Sequence, residues 1–593
     1  MQTSRPIITL FKRLWHHISL RRRVQFTLLL VLMLLASFAE ILSIGAVLPF
    51  LGVLTAPERI FEHSAAQPVI KALRLTESKQ LLLPLTFAFA TAALIAGAMR
   101  LLLLWASTRL SFAAGADLSS SIYRRTLYQP YAVHCARNSS EIINGISGKA
   151  KTVIHIINMT LTFISSSIML VTILIAMLVL NPFVALTSFC GFGLIYALIT
   201  KITRRRLIDN SKCIAYESSQ VIKSLQEGLG GIRDILIDGS QETYCNIYRR
   251  GDLVLRDASG SNAFISASPK YAMESLGMIL IAVLAYFLAQ EADGIAKTIP
   301  ILGVLALGAQ RLLPVMQQAY GSFTQISGGQ ASFQDALELL DQQIPDYVNQ
   351  PVRQSLTFNS HISLEQLSFR YSLQTPYVLK QLDLTIAKGS RVGFIGTTGS
   401  GKSTLLDIIM GLLQPTDGIL KIDEKIVTST NYRGWQTHIA HVPQAIFLAD
   451  SSVEENIAFG VPKDQIDIKR VRQAAEQAQI AESIESWPKQ YQTFVGEHGI
   501  RLSGGQRQRI GIARALYKQA DVIIFDEATS ALDNDTEQSV MKAIESLSKE
   551  LTILIIAHRL TTLKNCTQII ELDKGVIKRL GSYQEIVNCV ENS

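Results

Sequence analysis

The chain has 593 residues, 48% hydrophobic and only 18% charged, with a mean hydropathy of +0.26. That balance is too apolar for one water-soluble protein and the chain too long for one domain, so part of it is predicted to sit in lipid. The formal charge of +8 and pI near 9.0 do not require nucleic acid, because membrane proteins concentrate Lys and Arg on cytoplasmic loops, and no nucleic-acid partner is expected.

At the N-terminus, Arg5, Lys12 and Arg13 precede an apolar run that no small-residue cleavage site follows, which reads as an uncleaved anchor. The stretch IITLFKRLWHHISL mixes apolar and basic residues; it fits either a helix along the inner membrane surface or the first turns of the first span. Long apolar windows then run from about Val24 to Leu54, Leu81 to Leu104, Thr160 to Leu180, Phe183 to Ile199, Met273 to Ala289 and Ile299 to Met316. Most approach the roughly 20 residues needed to cross a bilayer, and the fourth and sixth must extend further. Six spans put both ends on one side. Arg21, Arg22 and Arg23 before the first span and Lys201, Arg204, Arg205 and Arg206 after the fourth make that side cytoplasmic.

Asn181 and Pro182 are predicted to form a tight external turn, whereas the polar stretches after spans two and four carry helical periodicity and read as long cytoplasmic extensions. Each contains a break, YQPYAVH at 128–134 and EGLGGIRD at 227–234, suited to a short crosswise helix. The cysteines Cys135, Cys190, Cys213, Cys245, Cys566 and Cys589 show no C-x-x-C spacing or pairing pattern, which leaves them as free thiols. A polar connector near residue 345 divides the chain into an all-α six-helix transmembrane domain, 1–345, and an α/β P-loop domain, 346–593.

In the second half GTTGSGKST follows the strand-like RVGFI and precedes the helical LLDIIMGLL, the strand, loop and helix context that a P-loop requires. Its residues are Gly396, Thr397, Thr398, Gly399, Ser400, Gly401, Lys402, Ser403 and Thr404. Backbone N–H groups there cradle phosphates, Lys402 sets a cation beside the outer ones, and the Ser403 hydroxyl binds Mg²⁺; the cofactors expected are ATP and Mg²⁺. DVIIFDEATSALD (521–533) reads as a buried strand delivering Asp526, suited to orienting Mg²⁺, and Glu527, suited to polarising an attacking water. His558, just past the apolar ILIIA, is placed to contact the γ-phosphate or hold that water in line. The run RLSGGQRQR (501–509) is built to let N–H groups approach an anion at a helix start, since glycine removes the side chains that would block it.

GTTGSGKST, VPQ at 442–444, LSGGQ at 502–506, VIIFDEATSALD and His558 stand in an order and spacing that resembles the ATP-binding cassette transporters over about residues 360–590. The resemblance implies that Tyr371 stacks on adenine, that Gln444 contacts Mg²⁺ and signals to the membrane domain, and that Asp533 links two ATP sites. It implies also that VGEHG (495–499) touches the coupling helices. Cassettes of this family pair head to tail, so Ser503, Gly504, Gly505 and Gln506 of one chain would complete the site begun by Gly396 to Thr404 of another. With one cassette and six spans, the chain is expected to act as a dimer, most simply a homodimer. The membrane-first order resembles exporters, an ATPase coupled to translocation.

Ionisable residues inside spans are costly and by default functional: Glu40, Arg100, Lys270, Glu274 and Arg311 qualify. At about 1.5 Å per residue the three cations fall in the inner half, where an anionic headgroup would meet them. The plainer readings are an i, i+4 pair of Lys270 with Glu274 and snorkelling of Arg100. SFAEILSIGAVLPFLGVL (37–54) resembles bacterial lipid-linked oligosaccharide flippases of the PglK type, in which a short external helix follows span one; APERIFEHSAAQPVIKAL (56–73) is a candidate for it. That resemblance implies an amphiphilic, polyprenyl-diphosphate-linked glycan as cargo in a bacterial inner membrane; the candidate contacts, Arg100, Arg311 and Glu40, come from charge and depth in the spans and not from the resemblance. An exporter of lipids, peptides or drugs and an ATP-gated channel or regulatory subunit are the alternatives; an intact Glu527 counts against the latter.

Overall fold

A computed structural model describes residues 6–55, 58, 61–62, 67, 70–71, 76–180, 182–289, 295–349, 356–527, 537–538, 550–557 and 563–586. Within these bounds the side chains of 295–311, Arg311 among them, and of scattered positions elsewhere are not among those described. Two compact units emerge: Met1–Gln129 with Arg137–Ile344, and Pro130–Ala136 with Pro345–Ser593.

In the first unit the six apolar windows fall within six long helices: α2 (Leu20–Thr55), α3 (Leu82–Leu127), α6 (Ala150–Leu180), α7 (Pro182–Gly230), α9 (Gln241–Ala289) and α10 (Ile295–Gly328). The second window's Leu81 closes the 3-10 turn before α3. Among the described residues, Leu20–Ser43, Leu82–Leu127 and Ser139–Val179 are long and apolar enough to cross a membrane. At 46 and 49 residues, α3, α7 and α9 reach about 70 Å, more than twice a lipid core of about 30 Å, so polar extensions continue each apolar stretch. Asn181 and most of 56–75 lie outside the described residues.

Both predicted breaks contain short helices. Pro130 stops α3 and starts α4 (Tyr131–Ala136), and Gly231, following the last residue of α7, Gly230, separates α7 from α8 (Ile232–Asp238). Gly239 ends α8 in the left-handed region at φ +63°, a backbone state glycine adopts without penalty. The Asn138 side chain caps α5 (Ser139–Asn144) by accepting the Ser140 N–H at 3.0 Å. Pro130–Ala136 groups with the second unit rather than with the helices that flank it in sequence.

IITLFKRLWHH forms its own helix, α1 (Ile7–His17), ended by extended backbone at Ile18. Its buried Leu10 and Leu14 share a core with Phe333, Leu337 and Leu340 of α11 (Gln330–Leu340). Arg13 and His17 both bind Asp341, at the end of α11, His17 at 2.7 Å. Partial desolvation pushes the carboxyl of the half-exposed Asp341 up, but these two partners outweigh it and hold the carboxyl below its ordinary value.

The second unit has two sheets. Strands β1 (His361–Phe369), β2 (Leu379–Ala387), β4 (Asp417–Ile422) and β5 (Lys425–Ile426) form an antiparallel sheet in the order β2-β1-β4-β5. The other, in the order β10-β9-β3-β8-β7-β6, has a parallel body: β3 (Arg391–Ile395), β6 (Ile439–Val442), β7 (Val522–Asp526), β8 (Thr552–Ile556) and β9 (Gln568–Asp573), with β10 (Val576–Gly581) antiparallel at the edge. The continuous apolar runs VIIF and TILII suit β7 and β8, whose residues Val522–Phe525 and Thr552–Ile556 are all buried. Helix α12 (Lys402–Ile409) buries Leu405, Leu406, Ile408 and Ile409 in the core that also holds Trp435 and Phe394.

Candidate functional site

Because β3, β7 and β8 run parallel, their carboxyl ends open at one edge of the sheet, where ligands of α/β folds collect. The turn between β3 and α12 requires glycine. Gly396 has φ +144°, and a Cβ there would lie 2.1 Å from the Leu572 carbonyl oxygen; Gly401 has φ +101°, and its Cβ would lie 2.7 Å from Leu379 Cδ2. The side chain of Lys402, only 8% exposed, donates to the carbonyls of Gly396 at 2.8 Å and Thr397 at 3.1 Å. Ser400 Oγ is buried without a hydrogen-bond partner. An orphaned hydroxyl, an inward ammonium and the unpaired first N–H groups of α12 fit a polyphosphate. Ser403 is exposed at the second position of α12, Thr404 is buried, and Thr397 to Gly399 form the exposed part of the loop.

Tyr371 follows β1, and its hydroxyl shares a hydrogen bond of 3.1 Å with Thr404 Oγ1. Its ring meets Phe369 edge-on at 5.0 Å and remains 55% exposed, so an aromatic face is open beside the P-loop helix. Gln444 lies beyond β6 and donates from Nε2 to Glu527 Oε2 at 2.7 Å. Glu527 has φ +51°, an uncommon state for a residue with a Cβ, and its N–H is tied to the Ile556 carbonyl at 3.1 Å. The carboxyl of Asp526 is pushed up by burial first and then by Glu527, with Lys402 opposing. His558 and Asp533 lie outside the described residues.

The sequence reading missed Asp407. It stands one turn after Ser403 on the same face of α12, and burial, followed by the Asp526 charge, pushes its carboxyl up to about 6. Its i, i+4 spacing from Ser403 was the available signal. Because the ordinary value is 3.8, folding favours the protonated form; stability present below about pH 4 is lost as pH rises through about 6. Asp407→Asn is therefore expected to raise the melting temperature of the cassette, free of metal and nucleotide, at pH 8 and not at pH 4, by about 2–4 °C per kcal/mol relieved. Calorimetry at the two pH values checks this.

Ser503 and Gln506 form a capping box at the start of the 15-residue helix Gly504–Lys518: Ser503 Oγ accepts the Gln506 N–H at 3.2 Å and Gln506 Oε1 accepts the Ser503 N–H at 2.9 Å. Gly504 and Gly505 occupy its first turn, so two residues without side chains sit at the positive end of a helix. In the membrane unit, Arg100 Nη2 is ion-paired with Glu40, and Lys270 lies 4.0 Å from Glu274 on the same helix. The arginine is thus tied to a carboxylate, and the lysine takes the plainer i, i+4 reading. Glu40 and Arg100 line a cavity of about 400 Å³ bounded by α2, α3, α6 and α10.

A P-loop, an acid-tipped parallel strand and a capped glycine-rich helix start, in one chain with long apolar helices, define an ATP-driven membrane transporter. Family models match as "ABC transporter" over residues 379–530 and "ABC transporter transmembrane region" over 25–307. The chain belongs to the ABC transporters, as an exporter half-transporter with one membrane region and one ATPase domain. It is 30% identical over 402 residues to an ATP-dependent lipid A-core flippase of Alkalilimnicola ehrlichii, covering 67% of each chain. It is 28% identical over 470 residues to the protein of that name from Cupriavidus pinatubonensis, covering 79% of each. A solved structure of a bacterial Atm1-family ABC exporter with ATP bound shares the fold, with a TM-score of 0.77 at 22% identity over 96% of both chains.

Proposed function

We propose that the protein is a homodimeric flippase that uses ATP and Mg²⁺ to move a lipid-linked glycan, a polyprenyl-diphosphate-linked oligosaccharide or polysaccharide precursor, across the bacterial inner membrane. Residues 1–345 form the transmembrane domain and 346–593 the ATPase, with both termini and the ATPase in the cytoplasm. Within each ATP site Tyr371 stacks on the base, Gly396 to Thr404 wrap the phosphates, and Glu527 with His558 hold the attacking water. Ser403, Gln444 and Asp526 would hold Mg²⁺, which would supply positive charge against the outer phosphates. Ser503 to Gln506 of the partner copy close the site. Closure is favoured only while the γ-phosphate bridges the two copies, so hydrolysis releases it.

The observation that carries the cargo assignment is Arg100, a half-exposed guanidinium lining a largely apolar cavity among apolar helices. Glu40 engages one of its nitrogens, and the remaining donors of so costly a group inside a membrane are open to a cargo anion. The names of the relatives support a lipid cargo in general, and the segment 37–54 favours the polyprenyl-linked class. Vesicles containing the purified protein and a defined polyprenyl-diphosphate oligosaccharide are expected to show ATP-dependent flipping. Arg100→Ala and Arg311→Ala are each expected to weaken apparent affinity about 10- to 100-fold, the loss of charge-assisted hydrogen bonds worth about 1.5–3 kcal/mol. ATPase stimulation by apolar or peptidic compounds, with none by the diphosphate lipid, would instead assign a drug or peptide exporter.

A further inference from the structure

Arg100 and Glu40 are unequal partners. The Arg100 side chain is 43% exposed and that of Glu40 only 2%. One nitrogen of the guanidinium, Nη2, is engaged by the buried carboxylate behind it, which leaves the rest of a planar, five-donor group to meet an oxyanion. Thr162, Ser165 and Gln318 line the same cavity. So does Ser166, only 3% exposed, whose hydroxyl has no hydrogen-bond partner. A buried hydroxyl without a partner, grouped with a few polar side chains in a largely apolar cavity, is a place where a ligand hydroxyl or oxyanion fits. At about 400 Å³ the cavity lies low in the range of small-molecule sites, suited to a phosphate with an adjoining sugar ring rather than to a long glycan.

We infer that Glu40 limits the affinity of this cavity for the phosphate-bearing head of the cargo, so that the head can leave once translocated. The inference rests on the flippase reading above. A phosphate bound by Arg100 lies one side chain away from the Glu40 carboxylate. In surroundings of low dielectric the carboxylate repels the anion that the guanidinium attracts; standing behind the guanidinium it is the farther of the two charges, so its repulsion offsets part of the attraction. A lone buried arginine would hold a phosphate tightly and release it slowly. The Glu40–Arg100 pair keeps the geometry of the guanidinium while offsetting part of its charge. Glu40 is therefore a positioning residue: it acts on cargo through Arg100.

The test uses the full-length dimer in phosphatidylcholine vesicles, with a short-chain polyprenyl diphosphate bearing one hexose as probe and inorganic phosphate as a separate arm. Equilibrium binding, KM and kcat of probe-stimulated ATP hydrolysis, and flipping are measured for the parent, Glu40→Gln, Glu40→Asp and Arg100→Gln. Removing the carboxylate charge is expected to lower KM about 10- to 100-fold and to lower kcat with it, because release becomes slow. Glu40→Asp, which keeps the charge and guards against a folding defect, is expected to stay near the parent, and Arg100→Gln to lose probe binding. A rise in KM for Glu40→Gln would overturn the inference and make the pair a support. Equal competition by inorganic phosphate would overturn the lipid-head assignment. Flipping that proceeds while no variant alters KM removes the cavity from the pathway and leaves the flippase reading standing. Failure of the parent both to bind and to flip the probe defeats that reading itself.

Discussion

Glu527→Gln is expected to lower ATP turnover by about 10² to 10⁴, the usual contribution of a positioned general base, while ATP still binds. The substitution suits the question because it changes little else. Gln444 donates to Glu527 Oε2 at 2.7 Å, and the amide oxygen of a glutamine accepts the same bond. The unusual backbone of position 527, φ +51°, tied to Ile556, is set by the end of β7 and β8 rather than by the side chain. What disappears is a carboxylate able to take a proton from water. Single-turnover hydrolysis with parallel nucleotide binding separates the steps, and near-parental turnover would remove Glu527 from the chemistry.

Gly504→Asp is expected to abolish hydrolysis to a similar extent without unfolding the cassette. An acid in the first turn suits the local helix, because it faces the positive end of the dipole. The cap that starts this helix belongs to Ser503 and Gln506 and is untouched. The same carboxylate would stand where the γ-phosphate of a second copy must approach, and two anions there repel. ATP binding to the variant's own P-loop should persist while ATP-driven pairing of cassettes is lost, as sedimentation or cross-linking would show.

The ATP half was legible because its geometry is local. A glycine at 396 is forced by φ and by the Leu572 carbonyl, and VIIFD can only be a buried strand ending in acids. The six windows and the two breaks were legible for the same reason: Pro130 and Gly230–Gly231 act on the backbone where they stand. The Glu40–Arg100 pair was not, since it exists only when α2 packs against α3, and each residue alone reads as an unrelated intramembrane charge. Asp407 beside Asp526 depends on β7 standing next to β8 and β8 next to β3, a strand order that no local pattern records. Helix α1 was ambiguous because its sequence suits a continuation of α2 equally well; Asp341, at the far end of the membrane unit's sequence, secures it through His17 and Arg13.

Completion of each ATP site by a second copy is tested most directly by mixing two inactive variants. One carries Lys402→Ala, which disables its own P-loop; the other carries Gly504→Asp, which disables its signature run. A mixed dimer then has one site with both defects and one with neither. Random assortment makes half the dimers mixed, so about a quarter of parental ATPase should return when the inactive proteins are exchanged or co-expressed. A mixture as silent as either variant alone would mean that each chain completes its own site, and would contradict the dimeric mechanism.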